Sequence, residues 1–225
     1  MLCYVILEHG RYLAEPSRYD SDLGWVLRHK LRFEEISGLP CLIQHYTRVT
    51  ARNLRSWNVQ ALLVSGNATE WDQYDMTGFG ELEWIIDEGE WPILALCGAM
   101  QLIALLHDVP CGPMGRLPDG MADPNPDYKP GMLKEKGYYP VKVVQSDPLF
   151  DGLGQQPVFS QWHYWELKAM PPAFACLAES ELCAIQAIRD ETRPVYATQF
   201  HPEDYSEEYA DGKRLLSNFF RICGF

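Results

Sequence analysis

The chain has 225 residues, room for one large α/β domain, and a composition of 47% hydrophobic and 22% charged residues that excludes disorder, collagen and coiled coil. Nineteen Lys+Arg against thirty-one Asp+Glu give a formal charge of −12. That balance excludes a general binder of nucleic acid or anionic membrane, whose affinity rests on phosphate neutralisation.

The opening Met1–His9 has no basic region before its short apolar run, so it reads as structure rather than a signal peptide. No stretch reaches the roughly eighteen apolar residues of a membrane span, and a cytoplasmic location is expected. The seven cysteines (3, 41, 97, 111, 176, 183 and 223) are odd in number and scattered, with no CxxC pair. Six of them read as small buried hydrophobes in a reducing compartment.

Leu2–Leu7 is a short apolar run, expected as a buried strand. Asp20–Leu31 carries Leu23, Val26, Leu27 and Leu31 at helical spacing behind a Ser/Asp cluster, and predicts a helix with that stripe as its apolar face. Cys41–His45 and Val59–Val64 read as strands, the second stopping at Ser65-Gly66-Asn67. Phe79, Leu82, Ile85 and Ile86 mark an amphipathic helix ending at Gly89. Pro92–Leu96 is another strand, and Ala99–Leu106 a helix entered with almost no loop. This βαβαβα alternation predicts an open, mostly parallel sheet with helices on both faces.

From Asp108 to Gly131 the periodicity fades among six prolines and four glycines. A segment of that kind is either a functional lid or docking loop, or a mere surface insertion. Beyond it, Tyr138–Val144, Pro157–Ser160, Phe174–Glu179, Cys183–Ile188 and Val195–Phe200 read as short strands, some pairing antiparallel as a small extension of the sheet. Ser206–Cys223 reads as a last helix with Tyr209, Leu215, Leu216, Phe219 and Phe220 on one side. No repeat or linker divides the chain, so residues 1–225 are expected to form a single domain.

Two windows carry chemistry. In Ala95-Leu96-Cys97-Gly98-Ala99-Met100-Gln101 a buried strand runs straight into a helix through a cysteine flanked by small residues. That is the geometry of a nucleophile elbow. It puts Cys97 at a helix amino end, where the dipole favours a thiolate, and it aims the Gly98 amide at an oxyanion. Taken alone, the window is equally a buried cysteine packed at a junction. The second window, Gln199-Phe200-His201-Pro202-Glu203, offers an imidazole and a carboxylate two residues apart just past a strand. A thiol needs such a base, and the base needs an acid to fix its tautomer. His9, His29, His45, His107 and His163 show no ligand-like spacing, so no metal is expected.

Cys97 in its elbow, Gln101 four residues on, and the string QFHPE resemble the class I (triad-type) glutamine amidotransferases. Val64-Ser65-Gly66, Glu135-Lys136-Gly137, Asp147–Phe150, Trp162-His163-Tyr164 and Met170-Pro171 fit the same family. Leu7-Glu8-His9 and Leu177–Ser180 are similar to the stand-alone branch related to the amidotransferase domain of GMP synthase. The resemblance covers residues 2 to about 222 and implies a flavodoxin-like α/β fold. It implies hydrolysis of the side-chain amide of L-glutamine by Cys97, His201 and Glu203 through a γ-glutamyl thioester. Gly66 and Gly98 would form the oxyanion hole, and Gln101 with the backbone at Tyr164 and Trp165 would grip the α-groups. No cofactor is implied.

Four places depart from the family pattern. Ala95 and Ala99 replace elbow glycines, Asn67 replaces a loop glycine, and Tyr164 and Trp165 are bulkier than usual, narrowing the pocket or fitting it to another γ-glutamyl compound. An asparagine at 67 suits a left-handed backbone. No GxxxxGK[ST] loop is present, so an ATP-dependent synthase accepting the ammonia would be a separate chain. A second reading is a hydrolase of γ-glutamyl amides or peptides with the same triad. A third, behind both, is a catalytically silent regulatory or binding module.

Overall fold

The structure is a computed structural model that describes the backbone of residues 1–10 and 16–225 and the side chains of 1–10 and 23–225. In chain order the elements are β1 (Leu2–Ile6), α1 (Pro16–Ser37), β2 (Cys41–His45), α2 (Ala51–Ser56), β3 (Ala61–Val64), α3 (Gly80–Glu88), β4 (Ile93–Leu96) and α4 (Gly98–Leu106). There follow β5 (Cys111–Pro113), β6 (Glu135–Pro140), β7 (Lys142–Val143), β8 (Val158–His163), β9 (Trp165–Leu167) and β10 (Phe174–Glu179). The chain closes with β11 (Ala187–Asp190), β12 (Val195–Thr198) and α5 (Asp211–Ile222).

The central sheet has eight strands in the order β2-β1-β3-β4-β12-β11-β10-β7. The first five are mutually parallel and the last three extend the edge antiparallel. This is the expected open α/β sheet with its small antiparallel extension. Strand residues alternate between two apolar layers. Cys3, Val5, Leu62, Val64 and Ala95 pack with α2, α3 and α4, while Leu2, Tyr4, Leu63, Leu94 and Leu96 pack with α1 and α5. Helices therefore cover both faces, and the inner strands β1, β3 and β4 are apolar throughout. Two small antiparallel pairs, β5 with β9 and β6 with β8, stand beside the sheet.

Several expected elements need correction. The helix α1 is longer than Asp20–Leu31, and the Ser/Asp cluster ahead of it lies outside the described side chains. Of its predicted apolar stripe only Val26 packs against the core, while Leu23, Leu27 and Leu31 are 45–54% exposed. The buried face is carried by His29 and Phe33, one turn apart. Phe33 packs edge-on against Tyr4, and His29 Nδ1 meets the Tyr4 hydroxyl at 3.1 Å. The run Tyr138–Val144 splits at Val141 between β6 and β7, which join different sheets. Residues from Cys183 are held in a turn by Ser180, whose Oγ accepts from Cys183 N at 3.0 Å, so the strand starts only at Ala187. The last helix starts at Asp211. Ser206 Oγ caps the amide of Tyr209 at 3.1 Å, and Tyr209 stacks on Tyr138 ahead of the helix.

The segment 108–131 is built into the structure. Its β5 pairs with β9, and Asp123 accepts from the Asn125 and Gly131 amides and from the ammonium of Lys134 at 2.7–2.9 Å. Those bonds hold the Asp123 carboxyl down to about 2.

The two faces of α1 predict opposite responses. Phe33→Ala should cost about 3–5 kcal/mol, while Leu27→Ala should stay within about 0.5 kcal/mol. Urea unfolding of the two variants measures both.

Candidate active site

The carboxyl ends of β3, β4 and β12 form the crevice where open α/β sheets bind ligands. Register brings three distant residues there. Val64, Ala95 and Ala197 pair across the sheet, so Gly66, Cys97 and Gln199, each two residues further on, emerge side by side. The Cys97 amide is tied to Thr198 O at 2.6 Å, and the Met100 and Gln101 amides return to Cys97 O at 2.9 and 3.3 Å.

Cys97 sits at φ 50°, ψ −106°, a left-handed conformation that costs a side chain about 1–3 kcal/mol. It persists because β4 and α4 fix the chain on both sides. Ala95 and Ala99, both 1% exposed, leave room for this bend without glycine.

Gly66 closes the crevice opposite. A Cβ there would lie 3.3 Å from Cys97 Cβ, 3.5 Å from His201 Cε1 and 3.6 Å from the Gly98 amide nitrogen, so one small space is shared by all four residues. A Cβ on Gly98 would strike the side chain of Asn67, which packs directly on it. Asn67 does not take the left-handed backbone expected of it, and neither does Gly66. The loop is shaped instead by Glu8, which the sequence did not mark as a site residue. Its carboxylate accepts from the Ala68 amide at 2.6 Å and from the Thr69 hydroxyl. Ser65 Oγ accepts from Leu7 N at 3.0 Å and donates to Gly66 O at 2.8 Å.

His201 Nδ1 and Glu203 Oε1 are 2.8 Å apart, and Glu203 is 1% exposed with its other oxygen unpartnered. Burial pulls the imidazole down, yet the Glu203 carboxylate and the Cys97 sulfur outweigh it and hold His201 well above the ordinary histidine value. The amide of His201 is fixed by Ser160 O at 2.8 Å. Helix α1 reaches the same segment: Arg32 donates to Glu203 O, and His29 Nε2 meets Asp204 at 2.9 Å. Among the described residues, His29, Glu203 and Asp204 are the one trio with metal-ligand spacing, and each already serves these bonds.

A second chain of bonds ends on the sulfur. Trp71 Nε1 donates to Gln101 Oε1 at 3.0 Å, Gln101 Nε2 to Gln199 Oε1 at 3.2 Å, and Gln199 Nε2 to Cys97 Sγ at 3.4 Å. All four residues are buried. Burial raises the remaining thiols: Cys3, Cys41, Cys111 and Cys223 to about 12, and Cys176 and Cys183 upward as well.

A cavity of about 110 Å³ opens onto Cys97, Gly98 and Gln101. Tyr164 and Trp165 line it, as does His163, whose Nδ1 donates to Trp165 O at 2.9 Å while Nε2 meets Glu135 at 3.0 Å. The segment 108–131 contributes Tyr128 and Lys129 to the wall. Burial raises the Tyr128 hydroxyl, and the nearby charges of Cys97, Tyr164 and Glu70 push the same way. Across the cavity Tyr164 donates to Glu70 at 2.6–2.7 Å, and Lys129 pairs with Glu70. Glu70, Tyr128 and Lys129 lie on loops without periodic pattern, and only their convergence in space marks them.

No helix among the described residues is long and apolar enough to cross a membrane. The family model for glutamine amidotransferase class-I matches residues 38–223. The glutamine-hydrolysing GMP synthase subunit of Archaeoglobus fulgidus is 30% identical over 79% of this chain and 93% of its own length. That of Pyrococcus abyssi is 30% identical over 76% of this chain and 80% of its own. Among solved structures, a protein of Thermoplasma acidophilum assigned to the same GMP synthase subunit superposes with a TM-score of 0.72 at 26% identity, over 100% of this chain and 94% of that one. A glutamine amidotransferase of Thermotoga maritima, at 14% identity, has a TM-score of 0.64 over 99% of this chain and 97% of that one, a likeness of fold. With the family match spanning most of its length, the chain belongs to the class I glutamine amidotransferases.

Proposed function

We propose that this enzyme hydrolyses the side-chain amide of L-glutamine with Cys97 as nucleophile, His201 as acid and base and Glu203 as its orienting carboxylate, and that the ammonia serves a separate ATP-dependent synthase subunit. The observation that carries the reading is the convergence of Cys97, His201 and the Gly98 amide around Gly66, within 3.3–3.6 Å of its Cβ position. The names of the relatives, glutamine-hydrolysing subunits of GMP synthase, support the partner.

The Glu203 carboxylate and the Cys97 sulfur favour the protonated imidazole of His201, which takes the proton that the thiol gives up. The thiolate attacks the amide carbon, and the carbonyl oxygen takes the negative charge against the Gly98 and Gly66 amides. As the oxyanion collapses the carbon–nitrogen bond breaks, and His201 protonates the departing nitrogen, which leaves as ammonia. A γ-glutamyl thioester remains. Neutral His201 then takes a proton from water, the hydroxide adds to the thioester, and the thiolate leaves as glutamate is released. The hydrogen bond from Gln199 stabilises sulfur whenever it is negative, and its polarisation by Gln101 and Trp71 strengthens it.

Purified enzyme should release ammonia from glutamine, and Cys97→Ala should abolish the release while the fold persists. Faster turnover of γ-glutamyl peptides than of glutamine, unaffected by any partner, would overturn the assignment. A glutamine analogue carrying an electrophile should label Cys97 ahead of the six raised thiols, as peptide mapping by mass spectrometry reports.

Glu203→Gln removes the carboxylate that holds the imidazole up. Because the protonated ring is the active acid, the alkaline limb of kcat/KM should move to lower pH by about one unit or more. Gln199→Leu should slow alkylation of Cys97 about tenfold by deleting a bond to charged sulfur. Stopped-flow labelling measures that rate.

A further inference from the structure

Directly after the orienting acid Glu203 the chain places a second acid, Asp204. One oxygen of each, and a ring nitrogen of His29, all lie within 4.8 Å of one another. Glu203 is buried and the Asp204 side chain only 26% exposed, so water does little to screen the two carboxylates from each other. Like charges this close in a shielded site share a proton unless other groups balance them. A shared proton would weaken the anion that holds the imidazole up.

The balancing groups come from α1. His29 Nε2 meets Asp204 Oδ1 at 2.9 Å, and since an ionised carboxylate can only accept, the nitrogen is the donor. Arg32, three residues on, donates to Glu203 O and stands 4.0 Å from Asp204 Oδ1, with the Tyr205 ring beneath its guanidinium. His29 is itself fixed: it is buried, and its Nδ1 meets the Tyr4 hydroxyl at 3.1 Å. Burial and the charges of Glu203 and Asp204 hold that hydroxyl well above its ordinary value, so Tyr4 adds no third negative charge. Burial pushes the Asp204 carboxyl up as well. His29, through its bond and its charge, outweighs burial together with His201 and Arg32 and keeps that carboxyl below the usual range. Tyr138 reaches Asp204 only at its carbonyl, at 2.8 Å, and Lys213 of α5 is turned to Glu35.

We infer that His29 is a positioning residue of the active site: by donating to Asp204 it lets two neighbouring carboxylates stay ionised together, Glu203 on His201 and Asp204 as a second negative charge felt by the imidazole. The inference rests on the proposed acid–base role of His201.

Carboxyl 13C NMR against pH reads the two acids without turnover, and the pH profile of kcat/KM is set beside it. His29→Phe keeps a ring and removes the donor. The Glu203–Asp204 pair should then take up its first proton about one pH unit higher, and the acid limb of kcat/KM should move up with it. Adding Asp204→Asn to His29→Phe should return the acid limb to its unaltered place, because a lone carboxylate needs no donor beside it. Both variants leave the Tyr4 hydroxyl without its partner, so that cost is common to them. Asp204→Asn alone should lower the His201 titration by about half a unit, in the same direction as Glu203→Gln and by less. A His29→Phe defect that Asp204→Asn does not relieve would make His29 a mere prop for α1 and overturn the inference, as would a carboxyl titration that ignores His29. If His29→Phe does not fold, Asp204→Asn decides, and an unmoved His201 titration overturns the inference. The expected titrations in a protein that releases no ammonia from glutamine would retain the positioning role and remove the glutaminase reading. Ammonia release with unmoved titrations would do the reverse.

Discussion

The site depends on one backbone constraint: the left-handed turn at Cys97, locked between β4 and α4 by its bond to Thr198. The strain is sustained because the strand before it and the helix after it are both almost entirely buried. Neither neighbour can relax without opening the core. Stability in the sheet thereby holds a single thiol against the cavity.

Around that turn, each supporting residue solves a problem the turn creates. Beside the thiol, His201 stands at the adjacent strand end with its own carboxylate. A side chain at Gly66 would crowd Cys97 Cβ at 3.3 Å and the His201 ring at 3.5 Å. Glu8 satisfies the loop that carries Gly66, and the glutamine pair satisfies sulfur from below. Six other thiols are kept inert by the same burial that stabilises the sheet.

The parts legible in the sequence were those with local periodicity or local chemistry. Apolar runs located the parallel strands, and a cysteine squeezed between strand and helix marked a residue that the fold brings to the cavity. Residues whose role depends on where a loop travels were not legible. Glu8 stands just past a strand with nothing nearby to mark it, and Glu70 and Lys129 acquire meaning only when the 108–131 segment folds back. The face of α1 escaped for another reason. Leucine spacing predicts burial only when no polar network competes, and His29 bonded to Tyr4 and Asp204 outweighs three leucines that stay in solvent. Gln101 illustrates a third limit: its position was legible, its side-chain partners were not.

The pairing of Val64, Ala95 and Ala197 has a further meaning for how this chain tolerates change. Because side chains alternate along a strand, adding one residue inside β12 would turn the whole run beyond it over and send the imidazole to the opposite side of the sheet. A far longer insertion in the turns linking helices to strands would leave that alignment intact. Drift in length is therefore open to the connecting loops and closed to three short strands, whatever their separation along the polypeptide.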